Sequence, residues 1–125
     1  RRLKQKAAAG ADFIQTQAIM DVSGFENFMS LVRNEGLDRD LFIIAGVPVI
    51  IAAGALEMLP RIPGMKIPPK VQQRLEKAGD LKREGIALAR ETVARLRKIP
   101  GLAGIHLMLF GSDHSSLIEV IEGLE

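Results

Sequence analysis

Three short stretches, residues 12–17, 41–48 and 104–110, read as strands, and the second and third are nearly continuous apolar runs that do not alternate apolar with polar. Strands of that kind are buried on both faces, the condition of a parallel sheet with helices packed against it. Segments of helical period separate them. Strand and helix in alternation call for parallel pairing with right-handed crossovers, and so for the α/β class. Three such strands cannot close a barrel, and alone they would leave edges and apolar faces uncovered. A TIM (βα)8 barrel takes about 250 residues, and 125 are present. The expectation is therefore a partial barrel, with residues 1–125 forming one portion of a single domain. It is too short to work as an enzyme alone and needs its remaining strands from upstream sequence or another chain.

The helical segments carry their own punctuation. Ser23-Gly24-Phe25-Glu26 fits a capping box, followed by Phe25, Phe28, Met29 and Val32 at helical spacing, with Gly36 as the stop. Residues 80–98 form a second helix, with Ile86, Ala89, Val93 and Leu96 on one stripe and Arg90, Arg95 and Arg97 on the other side. Pro100-Gly101 ends it. Four of the six prolines fall between Pro60 and Pro69, a stiff connection that leads into a short helical segment at 70–78. A last helix from about Ser112 carries Leu117, Val120, Ile121 and Leu124.

Composition narrows the function classes. The net charge of +2 comes from 17 basic and 15 acidic residues mixed along the chain, and there is no Trp or Tyr to stack on bases, so nucleic acid is not an expected partner. With no cysteine there is no disulfide, thiol nucleophile or thiolate metal site. No His/Asp/Glu cluster has metal spacing, and no metal is expected. The longest uncharged apolar run, 41–56, has sixteen residues, short of the roughly 20 that a membrane-spanning helix needs. Gly46, Pro48 and Gly54 interrupt it, so it reads as a strand followed by a helix. The N-terminal residues read as a helix already under way, with no leader and with sequence missing upstream. A cytoplasmic protein is expected.

Several stretches together resemble the methylenetetrahydrofolate reductase family. Leu3-Lys4-Gln5-Lys6, Ala9-Gly10-Ala11-Asp12-Phe13-Ile14 and Thr16-Gln17 are similar to that family's LKxKxxAGADFxxTQ segment. Phe25-Glu26-Asn27-Phe28, Ala45-Gly46-Val47 and Ile62-Pro63-Gly64-Met65-Lys66-Ile67-Pro68 follow in register. Glu84-Gly85-Ile86 and the run from Ile99 to His106 then match its last helix and strand. The resemblance implies that the three strands are the sixth to eighth of the barrel, its C-terminal part. It implies an oxidoreductase of one-carbon metabolism, serving methionine biosynthesis. In that activity a nicotinamide, NADH or NADPH, reduces bound FAD, which reduces a methylene-folate to methyl-folate. No GxGxxG loop is present, in keeping with a nicotinamide that visits the flavin without a Rossmann site.

Barrel active sites form at the carboxyl ends of the strands. Gln17 stands there and matches the family glutamine that contacts the folate; an amide offers both donor and acceptor to a pterin edge. Gln15, two residues earlier, is read as a buried, hydrogen-bonded core amide. Lys6 matches a lysine near the FAD phosphates, where a cation offsets charge. Gln5 is neutral where the family commonly has a basic residue. His106, mid-strand, is read as core. In place of the family's GVLPL the chain has Gly46-Val47-Pro48-Val49-Ile50, with apolar residues after it. Some members hold an arginine after the last strand, where this chain has Gly111-Ser112. A related carrier such as a methanopterin, or a lost activity, is compatible with this altered wall.

Ser112, Asp113 and His114 suit N-capping better than a nucleophilic triad, since adjacent residues rarely achieve triad geometry. Gly111-Ser112 after the last strand also suits phosphate, as in many unrelated barrels. A further alternative is a non-catalytic half-barrel, an assembly or regulatory piece. The exposed edges favour a homo-oligomer.

Overall fold

A computed structural model of the chain describes residues 10, 12–63, 65 and 67–123. Its centre is a three-stranded sheet: β1 (Phe13–Ala18), β2 (Phe42–Ile50) and β3 (Leu102–Phe110), side by side in chain order, all parallel. The helices are α1 (Val22–Asn34), α2 (Ala53–Met58), α3 (Pro69–Glu76), α4 (Leu81–Leu96) and α5 (Ser115–Glu122). Parallel neighbours in sequence order, each strand followed by helix, are what consecutive units of a (βα)8 barrel look like. The expected fold, an α/β partial TIM barrel, is the one observed.

Side chains alternate across a strand, and β2 divides its apolar residues accordingly. Ile43, Ala45, Val47 and Val49 join the main core, built with Val22, Phe25, Met29 and Val32 of α1 and Ile86, Ala89, Val93 and Leu96 of α4. Ile50, at the end of β2, belongs to a second cluster with Met20, Leu56, Leu59 and Leu75, against which Phe110 packs. The segment between β2 and α4 thus lies against the carboxyl ends of the strands. Only the central strand has the expected burial on both faces; β1 alternates exposed with covered residues because it is an edge.

Two glycines hold backbone conditions no other residue meets easily. Gly36, after the end of α1, has φ +72, the left-handed conformation that closes a helix, as its place in the sequence predicts. A Cβ on Gly85 would stand 1.7 Å from the carbonyl oxygen of Ile50, so α4 rests directly on the backbone of β2.

Two helix starts differ from expectation. Asp21, not Ser23, caps α1: its Oδ1 accepts the Gly24 N–H at 3.1 Å. Ser23 and Glu26 lie inside the helix and instead accept from Arg95 of α4, at 3.4 and 2.8 Å. Phe28 is 40% exposed, so the buried stripe is Val22, Phe25, Met29 and Val32. The last helix starts at Ser115, not Ser112, because the Asp113 carboxylate takes the Ser115 N–H and fixes the turn before it. Leu124 lies outside the described residues.

Candidate functional site at the strand ends

The carboxyl ends of the strands meet along a row set by register. Gln15 pairs with Ile44 and Ile44 with Gly104; then Gly46 pairs with His106, Pro48 with Met108 and Ile50 with Phe110. Between β1 and β2 the register slips: Gln15 faces Ile44, but Ala18 faces Gly46, so β1 spends three steps where β2 spends two. That is a β-bulge, a device that bends a strand and re-aims its side chains. Thr16 holds it. Its hydroxyl accepts the Gly46 N–H at 3.0 Å and donates to the Gln17 carbonyl at 2.8 Å. Past the bulge, Ile19 N–H donates to the Gly46 carbonyl at 2.8 Å and the ladder resumes. A Cβ on Gly46 would meet the Met108 sulfur at 2.8 Å and the Thr16 and Gln17 carbonyl oxygens at 3.0 and 3.1 Å. Glycine at 46 is therefore what lets β1 come this close.

Gln17 is the penultimate residue of β1 and falls with the exposed set Phe13 and Gln15, opposite in phase to Ile14 and Thr16, which are half-buried. Its amide has no hydrogen-bond partner among the described residues. Gln17 thus keeps the exposed phase of Phe13 and Gln15, which pair with Phe42 and Ile44 on the face of β2 opposite the core-facing Ile43 and Ala45. Gln15 is exposed, not buried as expected, because nothing among the described residues covers that face of the edge strand. His106 is half-buried at mid-strand opposite Gly46, and a core role on β3 fits it. Lys6 and Gln5 lie outside the described residues.

The loop after β3 spends its polar groups internally. Asp113 Oδ1 accepts from Ser115 N–H at 3.1 Å and from the Ser115 hydroxyl at 2.5 Å, while Lys82 of α4 donates to Oδ2 at 2.5 Å. The Lys82 hydrogen bond foremost, then that of Ser115, holds the Asp113 carboxyl down at about 2, and Asp113 in turn raises Lys82. Both carboxylate oxygens are occupied and neither partner is His114, so the three adjacent residues form no triad. The Ser115 amide at this helix start is served by the protein's own carboxylate, in the place a bound phosphate would take.

A second ionic group ties the connecting segment to the helix layer. Arg74 of α3 donates Nη1 and Nη2 to Glu91 of α4 at 2.7 and 2.6 Å, and its Nε to Glu84. The hydrogen bond from Arg74 keeps the Glu91 carboxyl below its ordinary range. Among the described residues no group of three or more His, Asp or Glu is placed to hold a metal ion, and no helix is long and apolar enough to cross a membrane.

Sequence reasoning found Gln17 and overlooked the pair that positions it. A signal was present: glycine inside a strand marks a bulge or a close backbone approach, and Gly46 is both.

Comparison with known proteins bears on this same stretch. A sequence model of the family described as methylenetetrahydrofolate reductase matches residues 1–124. Two curated proteins called methylenetetrahydrofolate reductase 2 are similar over 78 residues. The one from Schizosaccharomyces pombe is 36% identical, over 61% of this chain and 12% of its own length. The one from Saccharomyces cerevisiae is 38% identical, over 62% of this chain and 13% of its own. The matched segment is thus about an eighth of either relative.

Proposed function

The chain belongs to the methylenetetrahydrofolate reductase family, and on that premise we propose that it forms one wall of a barrel that reduces a methylene-folate to methyl-folate. In the whole protein, bound FAD would carry electrons from NADH or NADPH to the folate. The supporting observation is Gln17: an exposed amide at the carboxyl end of β1, in phase with Phe13 and Gln15 and with no hydrogen-bond partner among the described residues. Its donor and acceptor suit the edge of a pterin, which presents both. The role of this residue is to bind and orient the carrier, leaving the proton and hydride steps to groups elsewhere in the barrel.

The fit to FAD rests on Lys6, whose ammonium would offset pyrophosphate charge. The three strands themselves hold no lysine or arginine. The carrier is a folate or a methanopterin-type relative; past Gly46 the residues of β2 on the side away from the main core, Pro48 and Ile50, are apolar. The missing strands come from upstream sequence or a second chain, in a cytoplasmic oligomer.

The full-length protein should show flavin absorbance bleached by NADH or NADPH. Gln17→Ala should raise KM for the methylene carrier roughly 3- to 10-fold, the worth of a neutral hydrogen bond or two, and leave bound flavin in place. One observation favours a second reading, an assembly piece without catalysis: Phe13 and Phe42 pair on the uncovered face at 57% and 65% exposure. A colourless full-length protein that ignores added FAD would select that reading.

A further inference from the structure

We infer that Thr16 is a positioning residue for the carrier site: its side chain, with Gly46, sets the bulge that fixes where Gln17 stands along the sheet. The inference rests on the reading of Gln17 as the residue that contacts the carrier.

In a regular parallel pair the Gly46 N–H would find a backbone carbonyl of β1. Here the hydroxyl of Thr16 takes that place at 3.0 Å, and the same hydroxyl donates to the carbonyl of Gln17 at 2.8 Å. One side chain therefore substitutes for a rung of the ladder and also fixes the peptide unit that follows Gln17. The extra residue in β1, between Gln15 and Ala18, exists because of this substitution. Without it, regular pairing would run on from Gln15 and set Gln17 level with Gly46, further along β2 than it now stands, and by the same one-residue slip Ala18, Ile19 and Met20 would turn to opposite faces.

Gly46 is the other half of the device. The Thr16 and Gln17 carbonyl oxygens sit 3.0 and 3.1 Å from where its Cβ would be. Any side chain there would push β1 away and pull the hydroxyl off the Gly46 amide. The chemistry needs a hydroxyl that accepts and donates at once, which serine shares with threonine and which valine, of the same shape, lacks.

The test uses the full-length enzyme and four variants: Q17A, T16V, T16S and the T16V/Q17A double. Expected are a KM for the methylene carrier raised roughly 3- to 10-fold by Q17A and by a similar factor in T16V. T16S should stay within about twofold of the parent, and T16V should add almost nothing once Gln17 is already alanine. Factors for T16V and Q17A that multiply in the double variant would overturn the inference, as would a T16V enzyme with unchanged KM beside an impaired Q17A. An unchanged KM in Q17A would remove the carrier contact itself, and the inference with it. If T16V does not fold, T16S decides alone: a normal KM supports the hydroxyl's role, and one raised to that of Q17A overturns it.

Discussion

The two faces of the sheet are built from the same kind of strand and end differently. On one face Ile43, Ala45, Val47 and Val49 are at most 1% exposed under α1 and α4. On the other, Ile50 is buried at the carboxyl end with Leu56 and Leu59, while at the amino end Phe13 and Phe42 stand 57% and 65% exposed, and Gln15 and Gln17 are exposed along β1. Apolar side chains left in water forgo roughly 1.5–3 kcal/mol each of burial free energy. The closed face is what makes the chain fold; the uncovered face is what it offers to the rest of a barrel. The residue best suited to bind a carrier lies on the second.

The sharpest way to break that contrast is at Gly85, where the closed face admits no added atom. Gly85→Ala puts a methyl group 1.7 Å from the Ile50 oxygen, so α4 must lift from the sheet. A loss of about 3 kcal/mol or more is expected, read as the shift in denaturant midpoint. Next comes the matched pair Met29→Ala and Phe42→Ala. Met29 is fully buried and should cost about 2–5 kcal/mol. Phe42→Ala should cost under about 0.5 kcal/mol in the 125-residue chain, and several times that in the full-length protein if the face becomes a barrel interior. Equal, small costs in both contexts would show that nothing covers that face.

Smaller is the effect of acid on the loop after β3. The Asp113 carboxyl is held down at about 2 by Lys82 and Ser115. A depressed folded value means that the contribution is complete above the ordinary carboxylate range and fades as pH falls through about 2. The difference in denaturant midpoint between the parent and Asp113→Asn should be constant from neutral pH down to about pH 4 and shrink below it. Smallest is Arg95→Ala, which removes a surface pairing with Glu26 and should cost at most about 1 kcal/mol.

Much of the closed face was legible from the sequence, because it is written in periodicity: Met29 and Val32, or Ile86, Ala89 and Val93, announce their burial by spacing alone. The start of α1 was not, since Asp21 and Ser23 are both competent caps, and which one wins depends on Arg95 drawing Ser23 and Glu26 toward α4. At the site, Gln17 was found through its resemblance to a family motif. Thr16 was passed over because its role exists only when β2 lies alongside: its partner Gly46 is thirty residues away. Lys6, read in the same manner as Gln17, lies outside the described residues.

Where the Gln17 amide lies when a carrier is bound tests the central claim most directly. In a crystal structure of the full-length protein with a methylene- or methyl-folate, its oxygen and nitrogen are expected within hydrogen-bond distance of the pterin ring, at the carboxyl ends of parallel strands. A Gln17 side chain packed among α1 and α4, or a pterin seated away from β1, would contradict it.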